Sequence, residues 1–380
     1  MKAVLILLLL AVLFPQSIAQ EPATAPNQLS TEDRARKPGW WPTKGEPRRA
    51  DYAGSKACAH CHASLFATQK NTSMAQAAVL PADSPILESH RLSQRNDSFQ
   101  YKIVSQGDVL NYSVNDGKQT ISVPLLLAAG TGSTAGQSYL FQLESNYYEA
   151  RLSYFRTLHG FDITPGHSRS TPPTLEQAAG RRLSGAETHK CFGCHTTAST
   201  AEYKFEPSQA IPGVTCEACH GPGANHAAMM KAGIEGGEGL ILNPRRLSPS
   251  DSVDFCGACH RTWWDGSLSG ISGPLTLRFA PYRLENSRCW GKGDARLTCV
   301  ACHDPHLPLV RDQASYDNRC LACHVTGSVK TTADHPGAAC RVSTKNCVSC
   351  HMPKYEVPGT HSEFIDHWIR VVRKGETFPN

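Results

Sequence analysis

The sequence predicts a fold made mostly of α-helices and irregular loops that wrap around covalently bound prosthetic groups, with a small antiparallel β insert. Three observations predict it. The pentapeptide Cys-x-x-Cys-His occurs seven times and uses fourteen of the 16 cysteines. The 30 glycines and 25 prolines favour loops over long regular elements. Between residues 98 and 156, short runs of aromatic and β-branched residues alternate with turn sequences.

The Cys-x-x-Cys-His pentapeptide of an exported chain is a site of covalent haem attachment. The two thiols add to the haem vinyl groups, and the histidine becomes the proximal iron ligand. Seven copies predict a multihaem cytochrome c with seven covalently attached c-type haems. The attachment residues are Cys58, Cys61, Cys191, Cys194, Cys216, Cys219, Cys256, Cys259, Cys299, Cys302, Cys320, Cys323, Cys347 and Cys350. The proximal ligands are His62, His195, His220, His260, His303, His324 and His351.

Residues 1–20 have the features of a secretory signal peptide. One lysine precedes an apolar run from Ala3 to Phe14, and small residues follow at Ser17 and Ala19. This run is shorter than the roughly 20 residues of a membrane-spanning helix, which favours cleavage over an uncleaved anchor. We therefore expect a protein exported to a bacterial periplasm, with no membrane span after cleavage of the signal.

The rest of the chain divides by composition. The predicted segments are an extended N-terminal arm at 21–50, a first haem module at 51–97, the β insert at 98–156 and a hexahaem module at 157–380. Short helices are expected from about Ala63 to Ala77 and after Thr174. The turn sequences Gln106-Gly107 and Asn115-Asp116-Gly117 predict antiparallel hairpins in a sheet of four or five strands. This insert would be a scaffold, a docking face or one wall of a substrate pocket, and packing needs favour the scaffold.

The formal charge of +5 at pH 7 does not indicate a nucleic-acid partner. Seven haems would add fourteen propionates, which would bring the reduced holoprotein to about −9. We expect some arginines and lysines to pair with buried propionates.

The distal iron ligands come from the ten histidines outside the proximal positions. Because this supply exceeds seven, it favours bis-histidine coordination. His306 lies three residues after His303 and cannot reach the opposite face of the same haem, so it would ligate a neighbouring haem; the same reasoning covers His226 after His220. Ligation competes with the ordinary alternative of a solvated loop histidine. The further candidates are His167, His361, His367, His90, His335 and, for the first haem, Met74, which packing would also explain.

Two cysteines lie outside the haem motifs. In an oxidising compartment, Cys289 and Cys340 are expected to form a disulfide, which would contribute up to about 4 kcal/mol on the chain-entropy model. The alternative is two buried free thiols.

The motif segments resemble a known family. The stretch YAGSKACAHCHASLFATQKNTSMAQA, the block from CFGCH to CEACHGPGANH, RLTCVACHDPH and NCVSCHMPKYEVPGTHSEFIDHWIR are similar to multihaem c-type cytochromes. That family includes the tetrahaem cytochrome c partner of hydroxylamine oxidoreductase. The resemblance implies electron transfer through closely stacked haems, with His226, His306, His361 and His367 as distal ligands. Met74 stands where a related pattern often has histidine.

Three function classes fit these observations. The histidine supply can saturate every iron, which favours an electron carrier between redox partner proteins whose identity the sequence does not give, and no catalytic residue is predicted. The alternative is a multihaem oxidoreductase of a small nitrogen or sulfur compound, which needs one open haem; Tyr147, Tyr148, Arg151 and Tyr154 would then line a pocket, although strand packing explains them as well. Pentahaem nitrite reductases mark their active haem with Cys-x-x-Cys-Lys, whereas all seven motifs here end in His. A filament-forming cytochrome is a third class, for which no interface is visible in the sequence.

Overall fold

The computed structural model describes residues 48–131, 136–201, 204, 205, 207, 210–290, 297–324, 340–373 and 375–379. The predicted signal peptide, nearly all of the predicted N-terminal arm and His335 lie outside these residues. Within the described residues, no helix combines the length and the apolar character needed to cross a bilayer.

Antiparallel strands dominate the first half of the described chain. In chain order they are β1 (Ala78–Val79), β2 (Ser93–Asn96), β3 (Phe99–Gln106), β4 (Val109–Asn115), β5 (Thr120–Ala129), β6 (Ser138–Leu143), β7 (Asn146–Ala150), β8 (Leu152–Phe155), β9 (Gly160–Ile163), β10 (Gly180–Arg182), β11 (Thr196–Ala198), β12 (Thr200–Ala201), β13 (Lys204–Phe205), β14 (Ile211–Pro212), β15 (Lys354–Val357) and β16 (Ser362–Ile365). The largest sheet has 8 strands in the order β10-β7-β6-β5-β4-β3-β2, with β1 paired to β5. The remaining strands pair as β8 with β9, β11 with β14, β12 with β13 and β15 with β16.

The hairpins of the β insert form at the predicted turns. Gly107 joins β3 to β4 with φ of 62°, and Gly117 joins β4 to β5 with φ of 92°. Glycine adopts this left-handed conformation because it has no Cβ to clash. The Asp116 carboxylate accepts hydrogen bonds from the backbone N–H groups of Lys118 and Gln119. The antiparallel registers of β3 with β4 and of β4 with β5 confirm the hairpin prediction.

Alternate residues of these strands form the hydrophobic core. Tyr101 and Tyr112 are fully buried, and so are Tyr139 and Phe141 from β6. The rings of Phe141 and Tyr148 stack with centroids 5.3 Å apart. Each such buried side chain contributes about 1.5–3 kcal/mol, so the sheet is a stable scaffold beside the haem motifs.

The sheet is larger than the sequence predicted. Strands β1, β2 and β10 come from outside the predicted insert. Strand β2 pairs with its chain neighbour β3, whereas β1 and β10, which are two and three residues long, join by pairing with β5 and β7. The pairing of β1 and β10 is a tertiary interaction and not a local propensity. The prediction of a mostly α fold is therefore only partly correct, since a large sheet accompanies the short helices.

The helices of the described residues are short, and seven of them contain all or part of a haem motif. They are α1 (Ser55–Ala59), α2 (Ala63–Gln69), α3 (Pro85–Ser89), α4 (Leu175–Ala179), α5 (Gly185–His195), α6 (Cys216–His220), α7 (Ala224–Lys231), α8 (Pro249–His260), α9 (Trp263–Leu268), α10 (Ala280–Glu285), α11 (Cys299–Cys302), α12 (Asp317–Leu321) and α13 (Cys347–His351). The two longest, α5 and α8, both end at a motif histidine.

Side-chain caps explain where several helices begin. The Thr174 hydroxyl accepts the N–H of Gln177 at the start of α4, which confirms the predicted helix. Ser184 and Glu187 form a capping box at α5, and Ser248 caps α8. The helix predicted from about Ala63 forms as α2 but ends earlier than expected, because the chain turns before it joins the sheet as β1.

Candidate haem-binding sites

Each of the seven motifs forms one turn of helix. The backbone N–H groups of His62, His303 and His324 donate to the carbonyl of the first cysteine in the same motif at 2.8, 2.9 and 3.0 Å. The other four motifs lie inside α5, α6, α8 and α13. Residues three and four positions apart share one face of a helix. Both thiols and the imidazole of a motif can therefore address one porphyrin.

Several motif histidines are oriented by backbone carbonyls. The Nδ1 atom of each lies at hydrogen-bonding distance from a carbonyl oxygen contributed by another segment. The pairs, each 2.8 Å apart, are His195 with Ala77, His220 with Leu242 and His351 with Arg370. A hydrogen bond at Nδ1 fixes the ring and leaves Nε2 to bind a metal. The donor set therefore fits proximal haem ligation.

Two motif histidines face a histidine from outside their own motif. The rings of His220 and His306 have centroids 6.1 Å apart and lie within 14° of parallel. The rings of His303 and His367 have centroids 6.3 Å apart. Two imidazoles that share one metal ion, each with a nitrogen about 2 Å from it, place their centroids about 6 Å apart. Both separations fit a haem iron ligated from two sides.

The His306 ring is also held in a defined orientation. His306 Nδ1 lies 3.4 Å from the Asp304 carboxylate, and the N–H of His306 donates to the same carboxylate. A carboxylate behind a ligating imidazole fixes its orientation and raises its basicity.

Burial favours the neutral form of four of the histidines. Desolvation lowers the pKa values of His220, His260 and His303. It lowers the pKa of His367 to about 4, with a further contribution from His303. A neutral imidazole has the lone pair that a metal requires, so no proton need be displaced near neutral pH.

Each motif lies against at least one other motif. The motif thiols in contact are Cys58 with Cys216, Cys256 with Cys299, and Cys320 with Cys347. The Cys194 thiol also lies 3.8 Å from the carbonyl oxygen of Ala258, inside the fourth motif. The structure therefore brings the first motif to the third, the second to the fourth, the fourth to the fifth and the sixth to the seventh.

The remaining distal candidates have other partners. His226 Nδ1 lies 2.7 Å from the Gly237 carbonyl, which is the orientation seen at the proximal histidines. Met74 is half-buried, and its carbonyl accepts the N–H of Val214. The other three candidates contact side chains of the β insert or its surroundings. These contacts are His167 with Glu149 at 3.3 Å, His361 with Asp162 at 2.8 Å, and His90 with Ser89 at 2.8 Å.

Sequence reasoning missed the buried ion pair beside His367. The Arg283 and Asp366 side chains are fully buried and share two hydrogen bonds of 2.9 and 2.8 Å. Arg370 donates to the same Asp366 carboxylate at 2.7 Å. These charges hold the pKa of Asp366 below its usual range against the effect of burial. Arg283 and Asp366 are far apart in sequence, so no local pattern could have indicated the pair.

A further expectation concerned the two cysteines outside the haem motifs. No disulfide joins Cys289 to Cys340; Cys340 is exposed, and its thiol accepts the N–H of Val342 at 3.5 Å, whereas Cys289 is half-buried beside Trp290. The expected disulfide is thus absent from the structure.

The predicted cluster of three tyrosines and an arginine is divided between different roles. The Tyr148 hydroxyl donates to Glu176, Arg151 donates to two backbone carbonyls, and Tyr154 packs in the insert. These contacts are strand packing. Tyr147 instead lines a cavity of roughly 600 Å³ beside α5.

Comparisons with known proteins agree with this geometry. The comparison with curated protein sequences finds no significant match. Residues 167–221, which include the second and third motifs, match the family described as cytochrome c554 and c-prime. The solved structure of the outer cell wall cytochrome OcwA is similar in fold, with a TM-score of 0.50 and 15% sequence identity over 85% of this chain and 80% of that chain. The family match covers residues 167–221 alone and the likeness to OcwA concerns the fold, and both are consistent with the helical haem-attachment motifs.

Proposed function

We propose that this chain is an exported, periplasmic seven-haem c-type cytochrome that passes single electrons between redox partner proteins through closely spaced, mainly bis-histidine haems. The observation that carries the proposal is the opposition of His220 to His306 and of His303 to His367, with ring centroids 6.1 and 6.3 Å apart. A haem ligated on both faces has no open position for a substrate, so it serves as an electron carrier.

When bound, the haem iron supplies one-electron exchange between Fe(III) and Fe(II). The motif cysteines would hold each porphyrin on one helical turn, and the backbone carbonyls of Ala77, Leu242 and Arg370 orient the rings that would be proximal ligands. His306 and His367 would serve as distal ligands of two haem irons and would leave no open position there for a small molecule. The contacts within three groups of motifs, the first with the third, the second with the fourth and fifth, and the sixth with the seventh, support haems that are close neighbours.

A multihaem oxidoreductase of a small nitrogen or sulfur compound is the second candidate function. It is favoured by the cavity beside α5, whose lining includes Tyr147, Arg182 and His189. The Arg182 and Tyr147 side chains, beside the helix that contains the second motif, would suit the binding of a small anion. This function requires one haem of the chain to keep an open position.

Mass and spectroscopy distinguish the two functions. The chain is produced with its signal peptide in a host with haem-attachment machinery, and the intact mass and the oxidised spectrum are recorded. We expect seven covalent haems and a low-spin spectrum that nitrite, hydroxylamine and sulfite leave unchanged. Fewer haems in fully matured protein would contradict the proposal, and a high-spin signal that responds to one of these compounds would establish the second function.

A further inference from the structure

A buried glutamate inside the third motif binds the segment that leads into the first motif. Glu217 follows Cys216 and is 1% exposed. Its Oε1 atom accepts the N–H groups of Ala53 and Gly223, and its Oε2 atom accepts the N–H of Gly54, each at 2.8 Å. Gly54 is the N-cap residue directly before α1, which contains Cys58. One carboxylate therefore holds the backbones of both motifs.

A buried aspartate makes the same connection between the sixth and seventh motifs. Asp317 begins α12, which contains Cys320, and is 9% exposed. Its Oδ2 atom accepts the N–H of Asn346 at 2.7 Å, and its Oδ1 atom accepts the N–H of Cys347 at 2.8 Å. Cys347 is the first residue of α13.

The two carboxylates share three properties. Each lies inside or just before one motif, binds backbone N–H groups just before or at the start of another, and joins motifs whose first cysteines are in contact. Each uses both of its oxygen atoms as acceptors, which an amide side chain cannot do. In the described part of the chain, no basic side chain forms an ion pair with Glu217 or Asp317. Backbone dipoles thus stabilise each negative charge, and no cation among the described residues neutralises it.

We propose that Glu217 and Asp317 are positioning residues, each of which locks two haem motifs into one unit and lowers the reduction potentials of the two haems it joins. The inference rests on the proposed function, because it requires haem at the first, third, sixth and seventh motifs. A buried negative charge stabilises Fe(III) over Fe(II), and its effect is large where little water screens it. The hydrogen bonds to both motifs fix the distance between the two haems of each pair.

Amide variants separate the charge from the shape of the side chain. In Glu217→Gln, the amide nitrogen faces either the N–H of Gly54 or, in the opposite orientation, the N–H groups of Ala53 and Gly223. One or two of the three hydrogen bonds are therefore lost. In Asp317→Asn, one of the two donors is lost in the same way. Glu217→Asp retains the charge but shortens the reach. Asp108→Asn, in the exposed turn between β3 and β4, removes one exposed charge from the scaffold and is the matched control.

The holoproteins are compared by intact mass, spectroelectrochemical titration and electron paramagnetic resonance. We expect two of the seven midpoint potentials to rise in Glu217→Gln, a different two in Asp317→Asn, and none in Asp108→Asn. Glu217→Asp should keep the low potentials but alter the magnetic interaction within one haem pair. Loss of two haems together from Glu217→Gln, measured by intact mass, would also support the proposal that Glu217 holds the first and third motifs as one unit.

Potentials that move no further than in the control, or that all move together, would overturn the inference. The wild-type mass is measured first. Fewer than seven haems there would refute the proposed function, whereas seven haems with unshifted potentials in both amide variants would refute this inference alone.

Discussion

The buried Arg283 is the side chain whose replacement tests the packing around the haem sites most severely. Its guanidinium is 0% exposed, binds Asp366 through two hydrogen bonds and lies between the rings of Trp368 and Phe378, 4.9 and 4.7 Å from their centroids. Arg283→Met keeps much of the volume but leaves Asp366 with less than its full set of donors.

The size of the effect follows from these contacts. Breaking a buried ion pair by removing one partner costs about 3–5 kcal/mol. The bond from Arg370 to Asp366 remains, so we expect the lower end, about 3 kcal/mol. His367 follows Asp366 directly, and the Ser287 hydroxyl bonds to the His367 carbonyl. The variant should therefore also loosen His367.

The assay is guanidinium unfolding of the holoprotein, with the visible spectrum of the folded state as a second readout. Arg169→Met is the control, since Arg169 is 60% exposed in its pair with Asp162 and should cost less than about 1 kcal/mol. A loss below about 1 kcal/mol for Arg283→Met, equal to that of the control, would refute the assignment of Arg283 and Asp366 as a structural pair.

Three further predictions test separate features. Burial and the nearby Asp254 raise the pKa of Glu285 to about 7. Because the folded state then holds a proton that the unfolded state releases above about pH 4.5, the stability should fall as the pH rises from about 4.5 to about 7. Glu285→Gln should reduce this pH dependence in unfolding titrations by about 1–2 kcal/mol, after allowance for partial exposure. In Gly213→Ala, the new Cβ would meet the Ala75 carbonyl at a φ of 77°, so we expect a loss of more than about 1 kcal/mol in thermal unfolding, whereas Gly185→Ala, which has open space, should be tolerated. His226→Ala should change the spectrum of one haem while intact mass shows that attachment at Cys216 and Cys219 survives; an unaltered spectrum would make His226 a solvated side chain.

The sequence predicted what depends on short-range pattern. The Cys-x-x-Cys-His spacing matches one helical turn, and the glycine turns at Gly107 and Gly117 form the predicted hairpins. The position of His306, three residues after His303, indicated that it would serve another haem, and the structure places its ring against His220.

Long-range partners could not be predicted. Strand β10 is only three residues long, and nothing in its sequence selects β7 as its neighbour. Glu217 and Asp317 are ordinary acidic residues until the fold brings distant N–H groups to them. His361 and His367 were indistinguishable in sequence, yet His361 binds Asp162 whereas His367 lies against His303. The sequence therefore identified the chemical groups, and the tertiary structure determined their partners.

The most direct test of bis-histidine ligation is the spin state of the His306→Ala holoprotein. Quantitative electron paramagnetic resonance of the oxidised protein would count the high-spin haems, with intact mass as the check on attachment. We predict one more high-spin haem than in the wild type and all seven haems still attached, because the His220 side of one iron remains while its opposite face is opened. An unchanged number of high-spin haems would contradict the pairing of His220 with His306.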